Sequence, residues 1–221
     1  MFRQILVQNA DGIVTVTLNV PEQRNAIDLL MREEIAAVVD DARQDPHVLA
    51  LVIAGQGGYF SAGGDLKSLG PNEDRALRTR DRLRRLQTWF PDLVHLPKPV
   101  IAAVDGVAFG AGFSLALAAD VILASPRARF SQVFGRIGVV PDLSSLYLLP
   151  RRVGSAVARE LILTARMIDA AEAKAINLVS AIVPVADLAG QARSMAMRMG
   201  ERSAHFPAIK SAMNDAFDRP W

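Results

Sequence analysis

Ser61-Ala62-Gly63-Gly64-Asp65, answered further along the chain by Gly110-Ala111-Gly112, is the most informative feature of this sequence. Each piece follows an apolar run suited to a buried strand, Val48–Ala54 before the first and Val100–Val104 before the second. Each leads into a helical pattern. Small-residue turns let a ligand come close to the main chain. A helix N-terminus adds unpaired N–H groups and the positive end of a dipole. Two such turns can aim two backbone N–H groups at one oxygen atom. The chemistry served by that arrangement is stabilisation of charge developing on a carbonyl oxygen, an oxyanion hole.

Working outward, Phe2–Gln8 and Ile13–Leu18 flank Asn9-Ala10-Asp11-Gly12, a hairpin signal. From Asp28 to Arg43 the positions Met31, Ile35, Val38 and Ala42 recur at helical spacing, and Asp28 is placed to cap that helix. Further helices are expected over Glu73–Phe90, from the second turn to about Ala119, from Ser144 onward, and over Ala170–Ile176, the last ended by Asn177. Strands are expected at Val121–Ala124 and Val179–Val183, with Phe130–Pro141 irregular. Asp187–Met199 and Pro207–Phe217 read as closing helices. Recurrent strand–turn–helix units predict an α/β fold with largely parallel pairing.

Composition narrows the function. The chain has 221 residues, 51% hydrophobic and 22% charged, so it can bury a substantial core. A net charge of +2 does not suggest a nucleic-acid binder. The absence of cysteine excludes disulfides, thiolate metal sites and a cysteine nucleophile. His47, His95 and His205 are not at metal-ligand spacing. The N-terminal residues show no signal-peptide pattern. The longest charge-free apolar stretch, Gly106–Ala119, is too short to span a bilayer and reads as a buried core helix. The expectation is a soluble, cytoplasmic protein with no membrane or nucleic-acid partner.

An ordered set of motifs carries a resemblance. Arg24-Asn25-Ala26, Phe60-Ser61-Ala62-Gly63-Gly64-Asp65-Leu66, Pro99-Val100-Ile101-Ala102-Ala103-Val104-Asp105-Gly106, Gly110-Ala111-Gly112, Val140-Pro141-Asp142, Leu149-Pro150-Arg151 and the segment from Ala171-Glu172-Ala173 to Leu178-Val179 resemble the crotonase, or enoyl-CoA hydratase/isomerase, family. The resemblance implies a spiral of repeated strand–strand–helix turns over residues 1–186. A helical segment over 187–221, used for assembly into a trimer or dimer of trimers, would follow. It implies an acyl-CoA thioester substrate, with coenzyme A entering as part of the substrate and no metal or redox cofactor. By resemblance the oxyanion donors are the N–H groups of Ala62 and Ala111. Arg24 and Ala26 would lie beside the CoA arm and Asp65-Leu66 beside its adenine end. Gly63, Gly64, Phe109, Gly110 and Phe134 would line the substrate site.

The best-known hydratases of that family use two glutamates, and their positions fall here on Ser114 and Phe134. Neither can replace a carboxylate in proton transfer. Asp142, just after Pro141, stands where several isomerases of the family carry their base. Phe134 would make the pocket drier, which suits a carboxylate proton shuttle. The family's dehalogenases need a histidine that would fall near Leu86, so that reading is discounted. The leading expectation is an acyl-CoA isomerase with Asp142 catalytic. Its rivals are an enoyl-CoA hydratase acting through Asp142 and a water, and a non-catalytic acyl-CoA-binding member.

Other features read as structural. The arginines from Arg75 to Arg85 form a solvated face, with Leu83, Leu86 and Phe90 toward the core, rather than a phosphate site. His95 and Trp89 read as packing groups, and Ser114 as a small residue inside a buried helix. Family members continue past the Lys210–Phe217 helix, so the sequence ending at Trp221 implies altered assembly or a looser hold on the adenine end.

Overall fold

The structure, a computed structural model, describes residues 2–65, 89–201, 205–216 and 218. The expected helix over Glu73–Phe90, its arginine face, Leu86 and Leu66 therefore lie outside the described residues, apart from Trp89 and Phe90. Strands β1 (Ile5–Ala10) and β2 (Ile13–Leu18) form the expected hairpin, with Ala10 opposite Ile13. Its two-residue turn, Asp11-Gly12, has positive φ at both positions, the geometry that matches strand twist. Helix α1 (Leu29–Gln44) starts where Asp28 Oδ1 accepts the Met31 N–H at 2.9 Å.

Strands β3 (Ala50–Gly55), β4 (Val100–Val104), β6 (Val121–Ala124) and β9 (Ala181–Ile182) join the hairpin in one sheet ordered β1-β2-β3-β4-β6-β9. Every pairing after β1–β2 is parallel. The central strands are apolar at every position because both faces are covered. Leu51, Ile53, Ala102, Val104 and Ile122 pack with α1 residues such as Met31 and Ile35. Ala50, Val52, Ile101, Ala103 and Leu123 pack with Leu188, Ala192 and Ala196 of α7 (Val185–Gly200).

A second sheet, β5-β7-β8, is built from β5 (Val107–Phe109), β7 (Arg129–Ser131) and β8 (Ile168–Asp169). Isolated bridges extend its logic: Ser61 pairs with Ala108, and Gly64 pairs with Ile27. Each winding of the chain thus lays one strand in the large sheet and one short extended segment beside the last winding's segment. This is the spiral that positions the site. The remaining helices are residues 89–94 (α2), α3 (Ala111–Leu117), α4 (Ser145–Val153), α5 (Ser155–Thr164), α6 (Ala170–Ala175) and α8 (Phe206–Asp215). Asn177, at φ 61°, ends α6 as expected. Among the described residues no helix is long and apolar enough to cross a membrane.

Two expectations change. Gly106–Ala119 is not one buried helix: β5 occupies its first part, and Gly110, at φ 48° and ψ −119°, breaks the chain before α3. Phe130–Pro141 is not wholly irregular, since it holds the end of β7 and a 3-10 turn over Val133–Ile137. Elements of three to five residues are too short to leave a periodic signal.

Polar clamps fix the corners. Lys210 of α8 is buried against Asp120, Nζ to Oδ2 at 2.9 Å, and Asp120 also accepts the Val100 N–H. Burial pushes the Lys210 ammonium below its ordinary value against the pull of Asp120. At the β4–β5 corner, Asp105 accepts bonds from Arg127 Nε at 2.7 Å and from Ser125 Oγ at 2.7 Å. The Arg127 hydrogen bond chiefly holds the Asp105 carboxyl below its ordinary value of 3.8. A carboxylate depressed in this way contributes stability above its unfolded value and loses it as pH falls through the folded one. Asp105→Asn should therefore melt below wild type at pH 7, with the difference shrinking below about pH 3.8 in pH-resolved thermal melts.

Candidate active site

The site forms where three extended segments lie side by side: residues 24–27, 61–65 and 107–111. Ser61 occupies the middle segment and faces β5. Its N–H donates to Val107 O at 2.8 Å, and its carbonyl accepts the Phe109 N–H at 3.0 Å. Ala62 faces the other way, and its N–H donates to Arg24 O at 2.9 Å. The Ala62 amide is therefore occupied, and the expectation that it supplies an oxyanion donor is corrected.

The next residues show which amide is open. Ile27 donates its N–H to Gly63 O at 2.7 Å and accepts the Asp65 N–H at 3.2 Å. In parallel pairing the residue between those two bonds turns its own N–H to the opposite side. Here that residue is Gly64, and the opposite side is the edge occupied by 107–111. A Cβ placed on Gly63 would lie 2.8 Å from Phe109 O and 3.7 Å from Ala111 N, so the two turns touch. Ala111 opens α3, where an N–H has no acceptor in its own helix. Among the described residues neither Gly64 N–H nor Ala111 N–H has a hydrogen-bond acceptor. The pair the structure brings together is Gly64 and Ala111.

Buried polar contacts hold this frame. Asn25 is fully buried and satisfied: Oδ1 accepts the Val20 N–H, while Nδ2 donates to Gln56 O at 2.9 Å and Tyr59 O at 2.7 Å. Ser61 Oγ donates to Asn25 O at 2.7 Å and accepts the Gly63 N–H at 3.1 Å. Arg24 is exposed, with its guanidinium carbon 5.9 Å from the Tyr59 ring centroid, and Ala26 is half-buried beside it.

The acid side comes from a different winding. Ser114, one turn into α3 from Ala111, places Oγ 3.4 Å from Asp142 O and 2.5 Å from Ser145 Oγ. Asp142 is half-buried. Leu143 and Ser144, the two residues after it, adopt left-handed φ of 50° and 56° before α4 begins. Phe134 is buried, and its Cζ lies 3.7 Å from the position a Gly110 Cβ would take. An aromatic edge thus stands beside Gly110, the residue before the Ala111 amide. Sequence reading missed Gly64 as a donor, Ser145 as a partner of Ser114, and Gln132. Gln132 is fully buried, and among the described residues neither side-chain amide atom has a hydrogen-bond partner.

A family model for enoyl-CoA hydratase/isomerase matches residues 8–220. The chain belongs to the enoyl-CoA hydratase/isomerase family. It is 35% identical to a probable enoyl-CoA hydratase of Mycobacterium bovis, covering 98% of this chain and 83% of that protein. It is 33% identical to the 1,2-epoxyphenylacetyl-CoA isomerase of Escherichia coli, over 98% of this chain and 84% of that one. The solved enoyl-CoA hydratase/isomerase from Cupriavidus metallidurans superposes with a TM-score of 0.91 at 34% identity, covering all of this chain and 83% of that one. The spiral described above is accordingly the crotonase fold.

The meeting of the two amide-bearing turns depends on Gly112. A Cβ there would lie 2.6 Å from Ser61 Cβ and 2.7 Å from Ser61 O, too close to a buried segment for either side to yield. Gly112→Ala should destabilise the chain by about 1–3 kcal/mol, the usual range for overpacking. The check is chemical denaturation, in which a midpoint equal to wild type would show that α3 does not rest on Ser61.

Proposed function

We propose that this member of the family is an acyl-CoA isomerase in which Gly64 and Ala111 hold the thioester oxygen and Asp142 moves the proton. The observation that carries the reading is the contact between α3 and the Asp142 turn, Ser114 Oγ to Asp142 O at 3.4 Å. It sets the main chain of the Asp142 turn against the helix that begins at Ala111. Ser114 and Phe134 occupy the places where a hydratase of this family would carry its glutamates, and neither transfers protons usefully.

The reaction needs one base. In a 3-enoyl thioester, Asp142 takes a proton from the carbon next to the carbonyl. The electron pair passes into the thioester, and the negative oxygen accepts hydrogen bonds from the Gly64 and Ala111 amides. The same carboxyl then returns the proton two carbons further along, which leaves a conjugated 2-enoyl thioester with atoms and charge conserved. Backbone donors aimed at the developing oxyanion are each worth ~10²–10³ in rate. Exposed Arg24 and half-buried Ala26 border the turn that carries Gly64, a position suited to the CoA arm. The name of the Escherichia coli relative supports an isomerase. That of the Mycobacterium bovis relative favours the second reading, hydration through Asp142 and a bound water.

The two readings separate on substrate. With 3-hexenoyl-CoA the wild-type chain should form the conjugated 2-enoyl product, and Asp142→Asn should lower that rate by at least ~10³, the scale of losing a positioned acid–base group. With crotonyl-CoA hydration should be much slower than isomerisation. Faster hydration would favour the hydratase. Tight thioester binding with no turnover of either substrate would leave a binding protein.

A further inference from the structure

We propose that the hydroxyls of Ser114 and Ser145 form a positioning pair that fixes the Asp142 turn against the start of α3. The inference deepens the reading of Asp142 given above and rests on it. Both serines are fully buried, so neither meets substrate directly. Their oxygens are 2.5 Å apart, and together they connect two main-chain carbonyls. Ser145 Oγ lies 2.9 Å from Asp142 O. Ser114 Oγ lies 3.1 Å from Gly110 O, the carbonyl just before the Ala111 amide.

Counting protons limits the pair to two chains of bonds. Each hydroxyl has one proton. If Ser114 donated to Gly110 O while Ser145 donated to Asp142 O, two lone pairs would face each other at 2.5 Å. Gly110 O accepts the Ser114 N–H at 2.9 Å and Asp142 O accepts the Ser145 N–H at 3.2 Å, which leaves each carbonyl a second lone pair for a hydroxyl. With Ser145 donating to Asp142 O, Ser114 donates to Ser145; the reverse order, Ser145 to Ser114 and Ser114 to Gly110 O, joins the same two carbonyls. Each bond polarises the next in a dry setting.

The turn being held is a costly one. Leu143 and Ser144 are both left-handed without being glycine, and such residues persist only where the surroundings over-determine them. The Ser145 N and Oγ both lie within hydrogen-bond distance of Asp142 O, at 3.2 Å and 2.9 Å, directly before the strained pair. Removing the Ser145 hydroxyl frees the turn to relax and carries the Asp142 carboxyl away from the carbon it must reach. A displacement of about 1 Å costs up to ~10² in rate without weakening binding elsewhere.

The test uses the full chain with 3-hexenoyl-CoA, steady-state kinetics and a thermal melt for each variant. Ser145→Ala should lower kcat about tenfold to a hundredfold with KM within twofold of wild type. In an Asp142→Asn background the same substitution should cost nothing further, because the pair acts only through Asp142. Ser114→Ala, which introduces a good helix former inside α3, repeats the test if Ser145→Ala does not fold. An inactive Asp142→Asn beside serine variants with wild-type kcat overturns the pair and leaves Asp142 standing. So does a serine variant that changes KM alone, or one whose loss persists in full without Asp142. If Asp142→Asn retains the wild-type rate, or the wild-type chain does not turn the substrate over, the reading of Asp142 fails and the pair falls with it.

Discussion

Contact between two turns far apart in the chain is the constraint on which the site rests, and it exists because Gly112 has no side chain. Ser61 fills the space where a Gly112 Cβ would stand, with its own Cβ only 2.6 Å from that point. This lets α3 settle onto the 61–65 segment while β5 runs parallel to it through the Ser61–Ala108 bridge. The amides of Gly64 and Ala111 are brought to one edge by that contact alone. Under the proposed reading neither turn would form the site by itself, since each would supply a single donor.

The contact is held by polar groups in a buried setting. Asn25 satisfies both ends of its side-chain amide on main chain at Val20, Gln56 and Tyr59, and Ser61 adds a bond to Asn25 O. Buried and paired, such groups specify one arrangement; buried and unpaired, each would cost about 1–3 kcal/mol. The large sheet beneath contributes differently. Its alternating small and large residues, Ala50 and Ala103 on one face and Leu51 and Ile53 on the other, let helices cover both sides closely. Rigidity of the sheet becomes rigidity of the windings, and hence of the amides.

The acid half of the site is organised on another principle. The Asp142 turn is irregular and strained, and it is fastened to α3 through hydroxyls instead of through a sheet edge. A turn of this kind can be altered without disturbing the spiral. In this chain Phe134 and Ser114 make the surroundings of the amides apolar or neutral, leaving Asp142 as the acidic group whose turn meets α3.

Much of the fold was legible in the chain itself. The Asp-Gly hairpin, the Asp28 cap, the all-apolar central strands and the Asn177 helix end each follow from local chemistry that a short window contains. The ordered motifs also marked the two small-residue turns that the structure brings into contact. The sequence did not reveal which amide in Ser61-Ala62-Gly63-Gly64 would be open, because four small residues look alike in a window. Only the neighbouring segment decides: Arg24 O takes the Ala62 N–H, and pairing with Ile27 turns Gly64 outward. Short elements such as β5 and β8 were equally hidden, since their pairing partners lie on other windings. The Ser114–Ser145 contact spans 31 residues and two helices, so no pattern along the chain could announce it. Local chemistry along the chain decided the short-range elements; which amides stay open was settled by the fold, because hydrogen-bond direction is set by what lies alongside.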